Sequence, residues 1–329
     1  MPARVTAIDP QAAIEGGRIT IHGEGFAIDG PFLPEVRIGD SRARVVFASS
    51  TALGAIVPPG LEGGRATVRV AGARDTTHLD IASPFATGLH QVDNPVFDRD
   101  GNLYVTYSGT RGQQVPVSIF RVRPNGTRET FSSGIVNPTS MAIDPKGRLH
   151  VSSRFEGTVY RGDGDGSAEP FASDLGVACG LAIADDGTLF VGDRSGTIFR
   201  VDAKGRASTF ASLPASVAAF HLAIGPDQAL YVTGPTLSSY DVLYRIDRDG
   251  TVAATYDAFG RPQGLAVDAT GTLFVVEALA GASGLYRYRP GATPELVLAG
   301  PSLVGVAFSP DGVMVVSSNE TAYRLSRPA

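Results

Sequence analysis

Met141 to Ser153 reads MAIDPKGRLHVSS, Leu181 to Asp193 reads LAIADDGTLFVGD, and Leu265 to Glu277 reads LAVDATGTLFVVE. Each stretch alternates apolar residues across a break rich in Asp and Gly, the pattern of two short strands joined by a tight turn. Three more copies follow the same scheme: PVFDRDGNLYVTY from Pro95, LAIGPDQALYVTG from Leu222 and VAFSPDGVMVVSS from Val306. The turn residues Gly101, Gly147, Gly187, Gln228, Gly271 and Gly312 stand 40 to 46 residues apart, the period of a four-stranded propeller blade. A third strand carries an aromatic-Arg pair in each unit (SIFRVRPNG, TVYRGDGDG, TIFRVDAKG, VLYRIDRDG, GLYRYRPGA, TAYRLSRPA), and a fourth ends at Phe131, Phe171, Phe210 or Tyr256.

The sixth unit runs out at Ala329, just after its third strand. A donor for the missing strand is visible upstream, because PFATGLHQVDNPVFDRDGNLY (84–104) parallels PFASDLGVACGLAIADDGTLF (170–190), with Phe85 as far ahead of Gly101 as Phe171 is ahead of Gly187. Residues 84–87 are therefore expected to pair with 321–325 and close the ring, which removes unpaired edges. The fold class is all-β: a six-bladed β-propeller over residues 83–329 behind an N-terminal immunoglobulin-like β-sandwich over residues 1–82.

Composition narrows the function classes. The 329 residues are 43% hydrophobic and 19% charged, with a net charge of −5, which gives no basic field for nucleic acid. The single cysteine, Cys179, excludes an intramolecular disulfide and a thiolate zinc site. No stretch reaches transmembrane length, and the N-terminus lacks a secretory pattern. The chain reads as cytoplasmic as written, and as periplasmic or secreted if a signal peptide has been removed. The absence of Trp speaks against carbohydrate stacking.

In the first eighty residues, Ile19 and Ile21 alternate with Thr20 and His22, and Val68 and Val70 with Thr67 and Arg69, so one face of each strand is buried. The series Pro10, Gly16-Gly17, Thr20-Ile21, Gly23, Gly25-Phe26, Gly39, Val57-Pro58-Pro59-Gly60 and Gly63 resembles an IPT/TIG immunoglobulin-like domain. The resemblance implies a spacer or protein-contact module without catalysis. With only Leu79 to Ser83 before the donor strand, the sandwich is expected to dock stiffly near the outer edge of blade six.

The repeats resemble the NHL family and, more distantly, the senescence-marker-protein and gluconolactonase family of six-bladed propellers. In the lactonase family the resemblance implies an axial metal held at inner-strand starts, which match Asp93, Thr139, Cys179, Phe220, Gln263 and Val304. Calcium needs about six to eight oxygen ligands and only Asp93 is anionic, so no cofactor is expected; a calcium ion on the axis is the alternative. Propeller geometry puts inner-strand starts and second-strand ends at one mouth, whose candidate ligand-binding residues are Asp93, Arg154, Asp193, Arg194, His221, Gln263, Glu277, Asn319 and Glu320. His221, Asp193 and Glu277 are the candidates for proton transfer. His221 stands where repeats three, five and six carry Gly180, Gly264 and Gly305. Longer loops holding Arg111, Gln113, Tyr240 and Asp241 rise over the same face, whereas Asp98, Asp144 and Asp268 recur as turn residues.

The expected function is a binding or scaffolding protein that takes a protein partner or small polar ligand on the loop-bearing face. The alternative is a lactonase-like hydrolase or streptogramin-lyase-like enzyme acting at the channel mouth.

Overall fold

Strands Pro138–Ile143, Leu149–Ser153, Thr158–Gly162 and Ala168–Ala172 ladder antiparallel in that order, and repeat two thus turns the quoted motif into one sheet. The computed structural model describes residues 3–279 and 281–325. At the first turn of repeat two, Asp144 Oδ1 accepts hydrogen bonds from the backbone amides of Lys146 and Arg148, both at 2.9 Å. Gly147 takes a φ of 82°, a left-handed conformation that suits glycine. Asp98 and Asp268 do the same for Asp100 and Asn102 and for Thr270 and Thr272. These aspartates are turn-makers. The third-strand arginine of the aromatic-Arg pair lies over the fourth-strand ring: Arg161 is 4.6 Å from the Phe171 centroid, and Arg121, Arg200 and Arg324 cover Phe131, Phe210 and Phe85.

Repeats one, three and four form equivalent four-stranded sheets, and the last repeat completes a fifth with an upstream strand. In that sheet Ser83–Thr87 pairs antiparallel with Thr321–Leu325, placing Ala86 opposite Ala322 and Pro84 opposite Tyr323. Apolar clusters fill the wedges between neighbouring repeats. Tyr104, Met141 and Val151 join repeats one and two, and Ala86, Leu103, Val315 and Ala322 join the last repeat back to the first.

Repeat five departs from the expected scheme of six self-contained blades. Its strands Pro262–Val267, Leu273–Glu277, Gly284–Tyr288 and Glu295–Ala299 ladder like the others, yet they form the end of a twelve-stranded sheet. Free-standing four-stranded sheets therefore number five among the described residues. The cause is the two-residue strand Ala12–Ala13. It pairs in parallel with Glu295–Ala299 on one side and with the sandwich strand Thr77–Ile81 on the other, covering an edge that would otherwise be open.

This pairing also corrects the expected docking position, since the main backbone contact of the sandwich is with repeat five and not with repeat six. Ile14 donates its amide to Ala299 O at 2.9 Å. A Cβ on Gly17 would stand 2.4 Å from that same carbonyl oxygen, so only glycine fits the approach. The sandwich has its own core, built on Ile19, Ile21, Val36, Ile38, Leu53, Val68 and Leu79.

Candidate functional site

Asp93 enters the ring axis from repeat one, just ahead of the short strand Val96–Phe97. Its backbone carbonyl accepts a hydrogen bond from Gln91 Nε2 at 2.7 Å, and Gln91 Oε1 accepts from the Thr106 amide. Asn319 Nδ2 in turn donates to the Gln91 carbonyl at 2.9 Å. So fixed, the Asp93 carboxylate meets His221 from repeat four: Oδ1 and Nδ1 are 2.5 Å apart, and both side chains are buried. The bridge joins repeats one and four. His221 Nε2 is buried with no hydrogen-bond partner among the described residues.

The neighbouring Asn94, missed from sequence, explains the inner-strand glycines Gly264 and Gly305. Its Nδ2 donates to Leu265 O at 2.9 Å and its Oδ1 accepts from the Val306 amide at 3.0 Å, stitching repeat one to repeats five and six. A Cβ on Gly264 would lie 2.3 Å from Asn94 Oδ1, and one on Gly305 would lie 2.7 Å from Asn94 Cα. A recurring Asn-Pro step, Asn94-Pro95 and Asn137-Pro138, was the signal available in the sequence. Asn137 likewise stitches, donating to Ser108 O and Thr110 O and accepting from the Gly112 amide.

The structure holds the Asp193 and Glu277 carboxylates on neighbouring backbone amides. Each ends a second strand, is buried, and has its oxygens occupied. Glu277 accepts from the amides of Gly260, Arg261 and Leu279, all at 2.7 Å. Asp193 accepts from the Val177 amide at 2.7 Å and from Ser195 Oγ. These carboxylates hold loops. Asp241 and Gln113, on the longer loops over that face, are tied within their own loops to Thr236 and Thr110.

The remaining candidates divide by position. Arg154 is half-buried and makes no hydrogen bond or ion pair among the described residues, while Arg194 is exposed and reaches the carbonyls of Ser216 and Val217. Burial, together with Arg111 and Arg194, lowers the pKa of Arg154, and Cys179 opposes that shift. Burial pushes the Cys179 thiol up to about 12. Gln263 is half-buried and its carbonyl accepts from Thr233 Oγ1; Asn319 belongs to the Gln91 network; Glu320 is exposed. His150 is buried in the strand Leu149–Ser153. Its Nε2 lies 3.4 Å from Asp144 Oδ2, and burial lowers its pKa.

An axial calcium does not fit these residues. The one anionic position, Asp93, is committed to His221, Phe220 is buried in an apolar wedge, and Thr139 Oγ1 donates to Asn137 O. Among the described residues no three His, Cys, Asp or Glu side chains gather as a metal site. No helix there is long and apolar enough to cross a membrane.

Fold and site together define an all-β protein in which an immunoglobulin-like domain is fused to a propeller with a polar, bridged axis. Residues 3–82 match the IPT/TIG domain family. No curated protein matches the chain. Similar solved structures include a gluconolactonase from Xanthomonas campestris (TM-score 0.63, 14% identity, 90% of this chain and 98% of that one). An auxiliary nutrient binding protein from Bacteroides ovatus is similar over 99% of this chain and 98% of its own, at TM-score 0.57 and 13% identity. A catalytically inactive virginiamycin B lyase from Staphylococcus aureus, solved with quinupristin, is similar at TM-score 0.54 and 14% identity, covering 99% and 95%. At such identities the likeness concerns the fold.

Proposed function

We propose that this protein binds a ligand or protein partner on the loop-bearing face of a propeller that has six blades when the repeat-five ladder is counted as one. The observation that carries the reading is where the propeller exposes large apolar side chains. Phe155, Val177, Leu237, Tyr240 and Leu279, with exposures from 36% to 92%, all lie on loops of that face, and Val252 is the exception. Exposed apolar clusters of this kind mark interaction surfaces. The sandwich extends the surface, because a cleft of about 770 Å³ between Arg18, Val46 and Ile56 on one side and Arg261, Ala282 and Leu296 on the other opens beside it. The consumption of Asp193 and Glu277 as loop staples favours binding over turnover. The similarity in fold to an auxiliary nutrient binding protein agrees with this reading.

A second reading, a hydrolase or lyase, is favoured by the Asp93–His221 pair, since a carboxylate-oriented imidazole with a free Nε2 is the arrangement of a general base. One experiment separates the two. A thermal-shift screen of lactones, peptides and small polar metabolites against the full chain, followed by NMR of each hit, is expected to yield a stabilising ligand that is recovered unchanged. The protein's conversion of a hit, abolished by His221→Gln, would establish the enzyme instead.

A further inference from the structure

Arg154 and Arg194 occupy the same position in adjacent repeats, each immediately after the last residue of a second strand, Ser153 and Asp193. Arg111 reaches the same neighbourhood from the long loop of repeat one, whose Gly112 abuts the Phe155 ring beside Arg154: a Cβ on Gly112 would be 3.1 Å from that ring. The equivalent positions in repeats four, five and six are Pro235, Ala278 and Asn319. The mouth thus carries guanidinium groups from repeats two and three at this position and from the loop of repeat one, and uncharged residues at this position in repeats four to six.

Carboxylates stand nearby, but among the described residues none forms an ion pair with these three guanidinium groups: Asp193 accepts from Val177 and Ser195, Glu156 accepts from Tyr160 OH, and Glu320 shares with Arg154 the neighbourhood of His90 without bonding to it. Arg154 has lost part of its water to burial without gaining a partner. A guanidinium in that state is an unfilled binding position, because partial desolvation is costly until an anion supplies charge-assisted hydrogen bonds. At the floor, His221 Nε2 is a second polar group left unpaired, independently of the arginines.

We propose that the loop-bearing mouth holds an oxyanion, the carboxylate or phosphate group of a small ligand, between the guanidinium groups of Arg154, Arg194 and Arg111. The inference rests on the binding reading and names the chemistry that reading leaves open. Arg154 offers a fork with no partner, and Arg194, whose Nε and Nη2 donate to Ser216 O and Val217 O, keeps its Nη1 for the ligand. The neighbouring Phe155 and Val177 would cover the ligand's apolar portion.

Isothermal titration of the full chain with phosphate, with succinate and with neutral succinamide tests it at low and high ionic strength. The expected result is saturable binding of phosphate or succinate but not succinamide, weakened by salt. Affinity falls at least about tenfold in R154Q/R194Q, as expected for loss of charged hydrogen bonds, and is unchanged in R99Q on the opposite face. The phosphate and succinate arms identify which oxyanion is preferred. R154Q alone serves as a second variant, because Arg154 contributes no bond to the fold. Equal binding by R154Q, equal loss in R99Q, or no saturable binding of either anion overturns the proposal. A neutral ligand from the thermal-shift screen that binds R154Q/R194Q as tightly as the parent also overturns it while leaving the binding function intact. Turnover of a ligand removes the binding reading, and the anion arms still report on the mouth.

Discussion

Glu277 and Asp193 looked from sequence like acids at a channel mouth, and only their surroundings reveal them as staples. A carboxylate following a run of strand residues reads the same whether its oxygens meet substrate or backbone amides, because donating amides lie sixteen or seventeen residues upstream. Glu277→Ala leaves three part-buried amides without an acceptor and is expected to cost about 1–3 kcal/mol by chemical denaturation. A catalytic role would instead leave stability nearly unchanged. His150 gives a pH signature. Burial holds its pKa below the ordinary 6.5, so the unfolded chain takes up a proton as pH falls through 6.5 before the folded one does. Stability from this group is therefore constant above about 6.5 and declines below it. Denaturation midpoints across that range should flatten in His150→Gln; an unaltered slope would assign the pH dependence elsewhere.

At the scale of elements, the repeated turns were legible because their chemistry is local: an Asp that accepts amides two and four residues ahead writes its role into the spacing. The upstream strand was legible for a similar reason, since Phe85 keeps the register of Phe171. The strand Ala12–Ala13 was not. Two alanines carry no alternation and no length, and their pairing with Glu295–Ala299 depends on an edge nearly three hundred residues away. The glycines that admit close contacts were visible as gaps in a pattern but not as contacts. Gly305→Ala drives a methyl group against the Asn94 backbone and is expected to cost about 1–3 kcal/mol. Gly17→Ala collides with Ala299 O and should weaken the splice between the domains. Calorimetry of the parent chain is expected to give a single transition that splits or broadens in Gly17→Ala; an identical profile would mean that the shared sheet contributes nothing to coupling.

On the scale of the whole molecule, two faces of one ring have been given different work. The face of short turns is closed by saturated aspartates, at Asp98, Asp144 and Asp268. The other carries the long loops, the unpaired Arg154 and the exposed Phe155, Leu237 and Tyr240, with the sandwich held alongside by a continuous sheet. The buried Asp93–His221 bridge joins repeats one and four. Hydrogen–deuterium exchange of the full chain, with and without the strongest ligand from the thermal-shift screen, tests this division most directly. Protection is predicted in segments 108–113, 154–157, 173–177, 194–196 and 234–240. Protection confined to the turns at 98–101, 144–147 and 268–271 would contradict the account.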